Sequence, residues 1–247
     1  MATKVIDRRR IAALAGRELL SAVHSPALYG AAVFLLAFSS VWLFNFGNFV
    51  AMNSATLRGY FSVFPMLYIL IVPILTMKSW AEERKTGSIE LLLTLPFSEW
   101  DLVLGKFLAA FALLAGMLAL TLPLPLSLLP LGNFDRGVIA AEYLGLLLLG
   151  AQALALGLFL SALSKNQAAG FLGTAVVLMA TMLAGQLSFS LNLQGPLAGI
   201  VNFFSLSFHF ESFSRGLLDS RGIVYYLAGT GLFLYLGVQT ILLRKWG

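Results

Sequence analysis

Cysteine is absent from the chain, which excludes disulfides and thiolate metal sites. Histidine is nearly absent. His24 and His209 are the two present, and their wide separation makes a histidine metal site or a Ser-His-Asp triad unpromising. Charge is scarce as well. Only 11% of the 247 residues are charged and 59% are hydrophobic, whereas a soluble domain carries about 25% charged residues. A soluble fold of this size would lack the polar surface to cover itself, so lipid is the expected solvent. The mean hydropathy of +0.89 agrees.

A phosphate-binding loop is missing too. Such a loop reads G-x-x-x-x-G-K-[ST], because glycines admit the phosphate to the backbone and the Lys answers its charge. Gly105-Lys106 is the one candidate, and Trp100 stands where the first Gly belongs and Phe107 where the Ser or Thr belongs. The chain is therefore expected not to be an enzyme: no catalytic residue, metal site or cofactor of its own is assigned. Ion-coupled carriers keep ionisable groups deep in the bilayer, and the apolar runs hold almost none. Glu142, some four residues into the fourth run, reads as an interfacial carboxylate facing water.

What is present is length of apolar sequence. About 20 apolar residues cross a hydrocarbon core about 30 Å thick, which places six spans at about 27–47, 59–80, 100–122, 138–163, 168–190 and 222–243. Pro65 and Pro73 predict kinks in the second. Pro123, Pro125 and Pro130 should break the end of the third. The stretch 196–210 is apolar but too short to cross, as interfacial or re-entrant segments are. Ahead of the first span, Arg8, Arg9, Arg10 and Arg17 alternate with Ile11, Leu14, Leu19 and Val23 at near-helical spacing, which predicts an amphipathic interfacial helix. The first apolar run has no small-x-small cleavage pattern behind it and is expected to be retained. Small residues Gly150, Ala151, Ala155 and Gly157 in span four indicate close helix contact.

Lys and Arg set the orientation. With the N-terminus inside, the inner side holds Lys4, Arg8, Arg9, Arg10, Arg17, Lys78, Arg84, Lys85, Lys106, Lys165, Arg244 and Lys245, and the outer side holds Arg58, Arg136, Arg215 and Arg221. Twelve against four predicts both termini in the cytoplasm, which an even number of spans allows. The net charge of +5 is then a topology signal, and no nucleic-acid partner is called for.

One loop stands out. After span two come Glu82, Glu83, Arg84 and Lys85, then Thr86-Gly87-Ser88. Gly87 permits a sharp turn and Ser88 can cap a helix over Ile89–Leu95. Pro96 follows, and Ser98-Glu99-Trp100-Asp101 reads as a capping box opening span three. A Leu-rich helix beside the membrane needs a cover, either the membrane interface or a groove in a partner protein.

The run Glu82-Glu83-Arg84-Lys85-Thr86-Gly87-Ser88-Ile89-Glu90-Leu91-Leu92-Leu93-Thr94-Leu95-Pro96, followed by Val103-Leu104-Gly105-Lys106, resembles permeases of the second class of ABC exporters (ABC-2 type). The stretch Ser207-Phe208-His209-Phe210-Glu211-Ser212-Phe213-Ser214-Arg215-Gly216, with Asp219 and Tyr225-Tyr226, is most similar to the gliding-motility subgroup, the Gld permeases. The resemblance implies an all-α, six-helix membrane subunit of the bacterial inner membrane, with an interfacial helix over 1–26, a cytoplasmic loop at 81–99 and an extracytoplasmic re-entrant segment at 191–221, all within a single transmembrane domain of 1–247. It implies that the loop carries a coupling helix, with Glu82, Glu83, Gly87, Glu90, Leu91, Leu92 and Pro96 at or beside the contact with a cytoplasmic ABC ATPase subunit, which would hold ATP and Mg. It further implies pairing with a second permease copy or a related permease. His209, Glu211 and Arg215 are then candidates for an extracytoplasmic gate or an accessory-subunit contact. The expected role is a permease subunit for export; the alternative is a non-transporting anchor that couples a cytoplasmic ATPase to an envelope or gliding-type complex.

Overall fold

The computed structural model describes residues 7–45, 56–85, 98–190 and 195–246. Among these residues every regular element is a helix and none is a strand, as expected where each backbone polar group must be satisfied within its own segment. Six helical stretches are long and apolar enough to cross a membrane: Pro26–Asn45, Arg58–Glu83, Glu99–Leu131, Arg136–Leu163, Gln167–Gln186 and Ser220–Leu243. These are the six expected spans. The expected short helix at 88–95, together with Gly87, Glu90, Leu91, Leu92 and Pro96, lies outside the described residues.

In chain order the helices are α1 (Arg8–Val23), α2 (Pro26–Asn45), α3 (Arg58–Phe61), α4 (Phe64–Thr76), α5 (Lys78–Lys85), α6 (Glu99–Thr121), α7 (Pro123–Leu128), α8 (Arg136–Leu163), α9 (Gln167–Ser190), α10 (Pro196–Phe204), α11 (Leu206–Ser214) and α12 (Ser220–Trp246). Proline accounts for several of the joints. Pro65 sits in the first turn of α4, where its missing N–H is harmless, so the second span breaks at Phe61–Phe64 instead of kinking. Pro73 lies inside α4, which ends three residues later, and Met77 separates α4 from α5. Pro123 and Pro125 likewise open α7 just after α6 ends. Helices α10 and α11 have nine residues each, about 14 Å of rise, too short to cross.

The centre of the bundle is α8. It meets α4, α6, α9, α11 and α12, and glycines let it do so closely. A Cβ at Gly145 would strike Phe213, one at Gly150 would strike Leu114 and Tyr68, and one at Gly157 would lie 2.7 Å from Thr76 Oγ1. Two of the four small residues singled out by sequence thus mark close approaches, and Gly145 adds a third. The main core comprises Tyr60, Phe61, Phe64, Tyr68, Leu114, Leu146, Leu149 and Phe213, all fully buried. Tyr68 is satisfied in this interior because its hydroxyl donates to the carbonyl of Leu146 at 3.1 Å. Tyr226 does the same toward Leu206 at 2.7 Å, pinning α11 to α12.

The amphipathic pattern of α1 has a partner inside the protein. Its buried residues are Ile11 and Leu14, and they lie against α6. At Gly105 a Cβ would fall 2.8 Å from Leu14 Cβ and 3.5 Å from the Ile11 carbonyl. Gly105 therefore serves helix contact. Gly105→Leu is expected to wedge α1 off α6 and to destabilise the protein by about 1–3 kcal/mol, as overpacking does; thermal unfolding in detergent checks this, and an unchanged midpoint would contradict the contact.

Candidate functional site

The described residues on either side of positions 86–97 stand on one scaffold. At the entry, α5 carries Glu83, only 8% exposed. Its Oε1 accepts a hydrogen bond from Lys106 Nζ at 2.7 Å. The same ammonium donates to Glu18 Oε1 of α1 at 2.9 Å and lies 4.9 Å from the centroid of the Trp80 ring. Lys106 is itself 5% exposed. It is the eighth residue of α6, about 10 Å into the helix. An ammonium at that position is costly unless paired and hydrogen-bonded, and two carboxylates and an aromatic face supply the partners. One cation thus fastens α1, α5 and α6 together.

At the exit, the expected capping box is present. Ser98 Oγ accepts from the Trp100 N–H at 3.2 Å, and Asp101 Oδ2 accepts from the Ser98 N–H at 3.0 Å. Asp101 also has a second partner that the local pattern does not contain: its Oδ1 accepts from the Asp7 N–H at 3.2 Å. Asp7 in turn caps α1. Asp101 is fully buried, so one carboxylate joins the loop exit to the start of α1. Glu82, by contrast, is exposed. It lines a cavity of about 310 Å³ with Glu18, Ser25 and Lys78, where Lys78 Nζ donates to Ser25 Oγ at 3.0 Å. Beneath these polar contacts a second apolar cluster unites Leu14, Trp80, Leu102, Val103, Ala155, Leu234 and Val238. It packs α1, α5 and α6 against α8 and α12.

The structure therefore brings Glu83 to a site and leaves Glu82 at its rim. The residues that complete the site were not selected from sequence. Lys106 entered as part of a family motif, as a failed phosphate loop and as one of the inner-side charges; Asp101 entered only as the local capping-box residue, and Glu18 and Asp7 did not enter as contacts. A lysine within an apolar run was the signal available, since such a charge demands a partner.

The opposite end carries the other expected residues, His209 and Glu211 on α11 and Arg215 at its C-cap, and the three do not converge. The His209 ring stacks on Tyr225 with centroids 3.8 Å apart, and its Nε2–H donates to the Phe203 carbonyl at 3.2 Å. Glu211 and Arg215 pair with each other along the outer face of α11, both more than half exposed. Burial lowers the pKa of His209, against the opposing pull of the Phe203 carbonyl and the Asp219 charge.

Glu142 corrects the sequence reading. It is fully buried, and among the described residues neither carboxylate oxygen has a hydrogen-bond partner. The segment that covers it is α11, drawn onto α8 at Gly145 through Phe210 and Phe213. The nearest compensating groups are Arg58 and Ser214, and the Arg58 Nε–H donates to the Ser214 carbonyl at 2.9 Å. Among the described residues no group of three or more His, Asp or Glu is arranged to hold a metal ion.

Two measurements follow from this geometry. Lys106→Met leaves Glu83 buried without its cation and is expected to cost about 3–5 kcal/mol; adding Glu83→Gln should recover most of the loss, and hydrogen exchange across 78–106 reads both. For His209 the folded pKa lies below the ordinary value near 6.5, so the folded state disfavours the charged ring. Stability is fully present above that value and falls as the pH drops from it through the folded pKa. Protease cleavage of 195–219 should accordingly increase on acidification below about pH 6.5, and His209→Phe should flatten the dependence.

Comparisons with known proteins agree with this architecture. A family model described as ABC-2 family transporter protein matches residues 33–207. The chain is also 30% identical over 128 residues to the probable multidrug ABC transporter permease YbhR of Escherichia coli strain K12, and to the protein of the same name in Escherichia coli O157:H7. The aligned segment is 51% of this chain and spans about a third, 34%, of each relative.

Proposed function

The chain belongs to the ABC-2 family of transporter proteins, and from that premise we propose that it is a permease subunit worked by a separate cytoplasmic ABC ATPase, which holds ATP and Mg. The observation that carries the reading is the Lys106 centre. Glu83 and Ser98 flank the 86–97 loop, and both are tied to the same helices. A loop held at both ends on α1, α5 and α6 is suited to receive force from a docked protein and pass it to α8 and α12. The loop helix, with Gly87, Glu90, Leu91, Leu92 and Pro96, is assigned to the ATPase groove, with Glu82 at its edge. The leucines would act as anchors and the charges would set register. This assignment puts the Lys106 end and both termini in the cytoplasm and α10–α11 on the far side of the bacterial inner membrane, as the Lys and Arg distribution favours. Two permease chains, alike or related, would form the pathway.

Export is the favoured work. The curated relatives carry a multidrug permease name, and the spans hold few ionisable groups on which an ion gradient could act. The likeness of 207–216 to the gliding-motility subgroup supports the narrower alternative, a non-transporting anchor whose α11 meets an envelope partner through His209, Glu211 and Arg215. Reconstitution with the cognate ATPase separates the two: ATP-dependent movement of an apolar cargo supports export, and ATP hydrolysis without movement supports the anchor. In either case, Leu91→Glu with Leu92→Glu is expected to abolish co-purification of the ATPase and to lower hydrolysis at least about tenfold, the factor that 1.4 kcal/mol represents. Full assembly by the double variant would refute the docking assignment.

A further inference from the structure

A groove of about 550 Å³ lies between α6, α7 and α8 at the end of the bundle away from Lys106. Ala119 and Ala140 face it with small side chains, and Leu122, Leu126 and Leu144 wall it. The groove exists because α6 stops at Thr121 and the chain continues as the proline-led α7. Its polar content is minimal. The Tyr143 hydroxyl is satisfied by Thr121 at 3.0 Å. The remaining polar lining residue is Arg136. Its guanidinium is exposed and has no hydrogen-bond or ion-pair partner among the described residues. Of the other arginines assigned to this end, Arg58 is engaged by the Ser214 carbonyl and Arg215 by Glu211, and Arg221, also exposed, does not line the groove. The neighbouring carboxylate, Asp135, accepts from the N–H groups of Gly137 and Val138.

A long apolar trough that ends at one unanswered cation is complementary to an amphiphile with an anionic head. The trough lies within two of the helices that are long and apolar enough to cross a membrane, where lipid is the surrounding medium. We propose that this groove holds one phospholipid, an acyl chain laid along Ala119, Leu126, Ala140 and Leu144 and the phosphate paired with Arg136. Guanidinium and phosphate form charge-assisted, often bidentate hydrogen bonds, which would hold this lipid more tightly than those that merely surround the bundle. The site does not depend on the ATPase reading.

Native mass spectrometry of the purified protein tests it, with phosphatidylglycerol as the probe and diacylglycerol as a chain-bearing probe without phosphate. The wild type should retain one phosphatidylglycerol through delipidation. Arg136→Gln should weaken retention about tenfold, Arg136→Lys should keep most of it, and Ala140→Trp, which fills the trough, should abolish it. Diacylglycerol should bind wild type and Arg136→Gln alike. Equal phosphatidylglycerol retention by wild type and Arg136→Gln would overturn the proposal. So would loss of self-association by Ala140→Trp without loss of lipid, which would assign the groove to a second copy of the chain.

Discussion

A lysine ammonium about 10 Å inside an apolar helix is tolerable only where its charge is answered on the spot. Lys106 sets that condition, and much of one end of the molecule follows from it. Glu83 reaches it from α5 and Glu18 from α1, while the Trp80 face closes a third side. The two carboxylates belong to different elements, so neither can withdraw without leaving charge stranded in a medium that solvates it poorly. The ion cluster does not need to add much net stability to matter. Its effect is to tie α1, α5 and α6 together, and Asp101 extends the bond to Asp7 at the start of α1.

The rest of the bundle is held differently. Lipid tails are as apolar as leucine, so helices in a membrane gain little by hiding apolar surface and associate through close packing. The glycines of α8 supply it: Gly145 toward α11, Gly150 toward α6 and α4, and Gly157 toward the end of α4 and Thr174 of α9. The same closeness has a cost at Glu142, which α11 covers without providing a full set of hydrogen bonds.

Features written locally were legible in the sequence. Six apolar runs of sufficient length became six long helices, and the capping box at Ser98 formed because its partners are three residues apart. Pro65, Pro123 and Pro125 fell in the first turns of helices, while Pro73 lies inside α4 near its end. Features made by distant residues were not legible. Lys106 meets Glu83 and Glu18 from 23 and 88 positions away, and no periodicity announces such a pairing. Gly105 was weighed from sequence as a phosphate-loop glycine that failed the motif, whereas the structure packs it against Leu14. Glu142 was assigned to water because four residues of helix separate it from the end of a span; a separate segment, α11, buries it.

Met77 gives the second span a further property. Between α4 and α5 the chain stays in right-handed helical geometry at Met77, whose N–H donates to the Pro73 carbonyl at 2.8 Å, directly beside the point where Thr76 is packed on Gly157. One side of Met77 is set in the bundle core, and the other is an eight-residue arm about 12 Å long. The direction of that arm is therefore fixed at two places, by the Thr76–Gly157 packing at its root and by the Lys106–Glu83 ion pair near its tip.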